Sequence, residues 1–228
     1  MVRCWGSARA QWHGCILPRI FPLLRGRVLE IAPCHGRWTQ FLLDHAESMI
    51  AVDLSTECIA YCRERFRHAP ALEFSANDGL TLPTLADRSI DFAFSFDSLV
   101  HVEADVLASY ATELARVLKP GASAFLHHSN LGEHHRGWWD KLRQRRSGLP
   151  FNTGWRATSV SAATMRRAAA AAGMSCVQQE VVPWLDNWPR NIDCFSTLVN
   201  TPGLPCATLH NPRFMEEAEA IRRLASLA

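Results

Sequence analysis

Short runs of continuously apolar residues alternate along this chain with longer stretches in which apolar positions return every three or four residues. The first pattern predicts strands buried on both faces; the second predicts helices that bury one stripe. Strands are expected over residues 27–32, 49–52 (closed by Asp53), 72–76, 90–96 and 122–128. Helices are expected over 38–45, over 55–67 with Ser55 as N-cap, and over 105–118, stopped by a turn at Lys119, Pro120 and Gly121. Residues 161–172 read as a further helix ended by Gly173, and 211–227 as a terminal one. Residues 175–182 and 193–199 read as the last two strands, paired antiparallel. Regular alternation of strand and helix specifies an α/β fold with a mostly parallel sheet and helices on both faces.

Two stretches break the rhythm. Residues 5–15 are polar and aromatic and read as a helical N-terminal cap within residues 1–25, its length limited by Pro18 and Pro22. Residues 132–158 are rich in Trp, Arg, His and Gly and read as an insertion or lid. The alanine run 168–172 reads as helix, and no internal repeat is present.

Composition narrows the class. A chain of 228 residues with 48% hydrophobic and 20% charged residues suits one globular domain over 1–228. A net charge of +2 provides no field for nucleic acid, and the basic run Lys141, Arg143, Arg145 and Arg146 reads as a solvated helix face. The eight cysteines, at 4, 15, 34, 58, 62, 176, 194 and 206, form no CxxC pair and no zinc-type spacing. Cys58 and Cys62 share a helix face and read as packing. His127, His128, Glu133, His134 and His135 also lack ligand spacing, so no metal is expected. Residues 1–11 do not read as a signal peptide, and no apolar run is long enough to cross a membrane. Free thiols in a reducing cytoplasm are the expectation.

In open parallel sheets, ligands bind beyond the carboxyl ends of the strands. Those ends carry Glu30–Gly36, Asp53, Asn77–Asp78, Phe96–Ser98 and His127–Asn130. The string VLEIAPCHGRWTQFL, residues 28–42, resembles the first motif of class I S-adenosylmethionine (SAM)-dependent methyltransferases: an acid, Glu30, then small residues at Ala32, Cys34 and Gly36. AVDLS resembles the second motif, with Asp53 as its acid, and Asn77-Asp78-Gly79 the third. SIDFAFSFDSLVHV and ELARVLKPGASAFLHH resemble the fourth- and fifth-strand segments. A dinucleotide site would need glycines where Ala32, Pro33, Cys34 and His35 stand.

The resemblance implies a Rossmann-like fold with a seven-stranded, mostly parallel sheet whose last strand is antiparallel. It also implies SAM as cofactor and S-adenosylhomocysteine (SAH) as product. SAM presents an ammonium, a carboxylate, a ribose diol and an adenine. Asp53 suits both ribose hydroxyls; small residues at 32, 34 and 36 allow close backbone approach; and Glu30 suits the ammonium. Asp78, with Asn77 and the Gly79 backbone, suits the adenine beside Leu54. Phe96, Asp97, Ser98 and Trp38 surround the methionine portion, and Trp5 and Trp12 are expected to cap the cofactor.

Methyl transfer to a hydroxyl needs a base, for which His101, His127 and His128 are the candidates. His101 could equally pack beside the cofactor, and Asp97 could cap a helix or orient a histidine. Adjacent strand residues face opposite ways, so only one of His127 and His128 is expected in the cleft. Trp138, Trp139, Trp155, Trp184 and Trp188, with Arg156, suit a sugar ring or flat aromatic acceptor. The stretch Trp5–Trp12, the HHSN string and Trp155–Arg156 resemble bacterial methyltransferases of glycan and natural-product pathways. The expected activity is O-methylation of a small molecule, against two alternatives: N-methylation, and SAM or SAH binding without turnover. The expected partner is the small-molecule acceptor, with a homodimer allowed and neither nucleic acid nor membrane.

Overall fold

The computed structural model describes residues 4–134, 155–184 and 190–227. Its centre is an eight-stranded sheet: β1 (Arg27–Ile31), β2 (Ser48–Asp53), β3 (Leu72–Ala76), β4 (Ile90–Ser95), β5 (Leu118–Ser129), β6 (Ser175–Val182), β7 (Asp193–Val199) and β8 (Ala207–His210). The strand order is β3-β2-β1-β4-β5-β7-β6-β8. β3, β2, β1, β4 and β5 are mutually parallel. β7 runs antiparallel to both β5 and β6. The expected closing pair is therefore present.

The strand expected last, 193–199, is the antiparallel one, and the expected count of seven becomes eight. β8 joins the edge parallel to β6. All four of its residues are exposed, and its apolar–polar alternation, Ala207 to His210, lasts only four residues, too short to announce a strand.

Period two along the strands sorts side chains into two core layers. Leu29, Ile31, Ile50, Val52 and Ala93 pack with helices α5 (Ala104–Val117) and α6 (Ala162–Ala171). Val28, Met49, Phe92, Phe94 and Phe125 pack with the N-terminal segment and α7 (Phe214–Ala225). Each fully buried Phe or Leu contributes roughly 1.5–3 kcal/mol.

The N-terminal segment runs α1 (Ala8–Gln11), a π-turn (Trp12–Ile16) and α2 (Leu17–Ile20). Helical turns continue through Pro18 and end at Ile20, ahead of Pro22, the other proline expected to limit them. Pro18 has no N–H to give the ladder, and the turn before it widens so that Leu17 N–H reaches the Trp12 carbonyl. Only α3 (Thr39–Leu42) is regular within the helix expected over 38–45. α4 (Thr56–Arg65) is capped as expected, the Ser55 hydroxyl accepting from Cys58 N–H at 3.1 Å. The turn expected at Lys119–Gly121 is instead the start of β5, because Asn200 Nδ2 donates to the Leu118 carbonyl at 2.7 Å and Gly121 N–H donates to the Asn200 carbonyl at 3.0 Å.

Among the described residues no helix is long and apolar enough to cross a membrane. Most of the lid expected over 132–158, with His135, Trp138 and Trp139, lies outside the described residues, as does Trp188.

Candidate active site

The loop leaving β1 takes left-handed backbone at alternate residues: Ala32 at φ 59°, Cys34 at 53° and Gly36 at 75°. These are the three small positions picked out in the sequence. At Gly36 the requirement is also steric, since a Cβ there would collide with the Phe66 ring. Two strand-end contacts fix the loop. Ala32 N–H donates to the Val52 carbonyl at 2.7 Å, and Cys34 N–H donates to Asp53 Oδ2 at 3.0 Å. Asp53 Oδ1 accepts from Ser55 N–H at 2.9 Å. Both carboxylate oxygens are thus oriented, and each retains a further lone pair. Leu54 beside Asp53 is 66% exposed, and it faces Gly79, where a Cβ would stand 3.6 Å from its methyls.

These strand ends border a cavity of about 430 Å³, within the range of small-molecule sites. The expected residues Ala32, Cys34, Trp38, Asp53, Phe96, Asp97, Ser98 and His101 all line it. Pro33, His35, Arg37 and Cys58 also line it and were not selected from sequence. Their positions follow from the loop's left-handed turns and from α4 packing beneath it, neither of which leaves a motif.

Asp97 has left-handed backbone, φ 67°. Its Oδ1 is buried and has no hydrogen-bond partner among the described residues, and Arg37 stands 3.6 Å from Oδ2. Burial pushes this carboxyl above its ordinary range, partly offset by His127 and Arg156. The helix-cap alternative for Asp97 finds no support: α5 begins at Ala104 and its N-cap is Glu103.

Glu30 does not line the cavity. It is buried beneath the loop, where Thr39 Oγ1 donates to it at 2.6 Å, and burial pushes its carboxyl up to about 8. Asp78 accepts from Thr81 N–H at 2.6 Å, Leu80 N–H at 2.8 Å and the Thr81 hydroxyl at 2.9 Å. Those bonds, the Thr81 N–H foremost, hold its carboxyl below the usual range. Asn77 Nδ2 donates to the Thr81 carbonyl and to the Tyr110 hydroxyl.

The expectation that Trp5 and Trp12 cap the ligand is corrected. Both are buried core residues: Trp12 stacks on Phe41 with ring centroids 5.4 Å apart, and Trp5 meets Phe214 edge-on at 5.3 Å. Trp184 is likewise buried, against Phe214 and His127. Among the described tryptophans of the expected acceptor region, Trp155 alone is exposed, at 85%.

The three histidines separate. His128 is fully buried; its Nδ1 donates to the Ser129 carbonyl and its Nε2 accepts from Ser196 Oγ, both at 2.8 Å. Burial pushes it down to about 4, so it is neutral. His127 is also fully buried, between Phe96, Trp184 and Phe195. Its Nδ1 accepts from Asp97 N–H at 3.2 Å and its Nε2 donates to Asp193 Oδ2 at 3.0 Å. Neither ring has a free nitrogen, which corrects their candidacy as the base and the expectation that one of the pair opens on the cleft. The Arg156 guanidinium grips Asp193 through Nε at 2.9 Å and Nη2 at 2.7 Å. Burial raises the Asp193 carboxyl, but His127 and Arg156 more than offset this and hold it low. His101 lies on the cavity wall.

Residues 28–121 match the family described as "Methyltransferase domain". These residues form a class I SAM-dependent methyltransferase domain. Its cofactor is SAM. The chain is 35% identical over 108 residues to the biotin biosynthesis bifunctional protein BioHC of Cellvibrio japonicus; the match covers 47% of this chain and 20% of that protein. The chain thus spans about a fifth of the curated relative's length. A SAM-dependent methyltransferase of Mesorhizobium loti shares the fold with TM-score 0.61 at 18% identity, over 85% of this chain and all (100%) of that one. So does the [4+2]-cyclase SpnF, with TM-score 0.64 at 18% identity and 86% coverage of each chain.

Three features of the cavity fit groups that SAM presents. The orphaned, buried Asp97 Oδ1 suits the ammonium, the oriented Asp53 carboxylate suits the ribose diol, and exposed Leu54 beside Gly79 suits the adenine face.

Proposed function

We propose that this chain transfers the methyl group of SAM to a hydroxyl of a small-molecule acceptor, with His101 as general base. The observation carrying this reading is the ring geometry of His101. Its Nδ1 lies 3.0 Å from the Trp155 carbonyl. A carbonyl only accepts, so Nδ1 is a donor and, in the neutral ring, Nε2 has the lone pair; the residue lines the cavity. SAM supplies a methyl already activated on a sulfonium. What the chain adds is positioning and proton removal. Asp53 and Asp97 would hold the cofactor's ribose and ammonium, Phe96 and Trp38 would exclude water from the methionine end, and His101 Nε2 would take the hydroxyl proton. Glu30, Asn77 and Asp78 would support this site from behind the loop and at the third strand's end.

Exposed Trp155 offers an aromatic face next to this base, which suits a sugar ring or flat aromatic acceptor of a specialised pathway. Eight free cysteines suit a reducing cytoplasm. A second reading, N-methylation, is favoured by the commitment of His127 and His128 to buried hydrogen bonds, since an amine acceptor needs no strong base. Labelled SAM with panels of hydroxyl and amine acceptors tests both. O-methyl products, with kcat falling about 100-fold in His101→Gln at unchanged KM for SAM, would support the first. N-methyl products alone, or full turnover by His101→Gln, would overturn it.

A further inference from the structure

Cys34, His35 and Cys58 bring two thiol sulfurs and one ring nitrogen to one corner of the cofactor cavity. The three donor atoms lie within 4.8 Å of one another, and all three residues line the cavity. Cys34 Sγ is 3.3 Å from His35 Nδ1. Two local features create the cluster: the left-handed turn at Cys34, and the Ser55 cap, which holds the first turn of α4, and with it Cys58, beside the loop. None of these three side chains has a part in methyl transfer as described above.

We infer that Cys34, His35 and Cys58 form a binding site for one zinc ion at the edge of the cofactor cavity. Zinc takes thiolate at about 2.3 Å and imidazole at about 2.0–2.1 Å in a tetrahedron. That geometry sets donor–donor spacings of roughly 3.5–3.8 Å, which rotation of the exposed Cys34 and His35 side chains can reach. Three protein ligands leave the fourth position toward the cavity. Soft sulfur donors disfavour magnesium and calcium. On binding, both thiols release their protons to solvent, two sulfur–zinc bonds and one nitrogen–zinc bond form, and nothing is oxidised. The cysteines are far apart in sequence, at 34 and 58, so zinc-type spacing does not reveal them. Zinc here would sit in the cavity that Cys34, His35 and Cys58 share with Asp53, so zinc and cofactor exclude each other. That exclusion rests on the cofactor reading; the zinc site does not.

Titration of the full chain with zinc against a chromogenic chelator tests the site. Cys34→Gly, Cys58→Ser and His35→Ala probe the ligands, with Cys206→Ser as a remote control and circular dichroism to confirm folding. Cys34→Gly places glycine at a left-handed position and so preserves the fold. One zinc per native chain is expected, with affinity at least tenfold weaker in each ligand variant, unchanged in Cys206→Ser, and unaffected by excess magnesium. Native affinity in Cys34→Gly and Cys58→Ser, or no zinc on the native chain, overturns the site. SAH affinity is expected to fall at least tenfold on zinc loading; an unchanged value overturns the exclusion. Zinc bound through the trio by a chain that binds no SAH contradicts the cofactor reading and leaves the zinc site standing.

Discussion

Three residues of the loop after β1 adopt left-handed backbone, and only one of them is glycine. Non-glycine residues there cost roughly 1–2 kcal/mol each, offset by the entropy that glycine would lose on folding. Ala32→Gly is therefore expected to leave the melting temperature unchanged or slightly higher. Gly36→Ala is expected to cost about 2–5 kcal/mol, because the added Cβ meets Phe66 as well as a left-handed φ. Urea denaturation of both variants checks this. Beneath the loop, Glu30 keeps its proton up to about pH 8 in the fold, against roughly 4.3 when unfolded. The folded state thus binds more protons across that window, so this group's contribution is fully present below about pH 4 and is lost as pH rises through 8. Glu30→Gln retains an acceptor for Thr39 and removes the titration. Its stability relative to the native chain should rise from pH 5 to pH 8.5 by about 2–5 kcal/mol, measured as the difference between two denaturation series. A flat difference would contradict the buried carboxyl.

Strand ends were readable because a continuous apolar run stops where a polar residue begins, as at Asp53 and Asp97. What covers those ends was not. Period two says that His127 and His128 face opposite sides of β5, but not that Trp184 and Phe195 cover one and Ser196 holds the other. Those partners lie more than fifty residues away in sequence. For the same reason Trp5 and Trp12 read as a ligand cap and prove to be core. At this scale β5, β7 and the segment at Arg156 are tied by the buried His127–Asp193–Arg156 chain. Arg156→Met leaves Asp193 buried with reduced compensation and is expected to cost about 3–5 kcal/mol. The double variant Arg156→Met with Asp193→Asn should recover part of that loss, as a thermodynamic cycle would show.

At the scale of the molecule, the order β3-β2-β1-β4-β5 reverses direction between β1 and β4. The cavity lies beyond their carboxyl ends, where such sheets place ligands. Asp53 from β2, the loop from β1, Asp97 after β4 and His101 beyond it converge there. A ligand that binds only the folded chain stabilises all of it: SAH at 100 times its Kd should add about 2.7 kcal/mol and raise the melting temperature by roughly 5–10 °C. The most direct test of the account is calorimetric titration of SAH into the native chain and into Asp53→Ala. The account predicts one site per chain, with affinity at least tenfold weaker in the variant while the native fold is retained. Equal affinity in the two proteins, or no binding by the native chain, would contradict it.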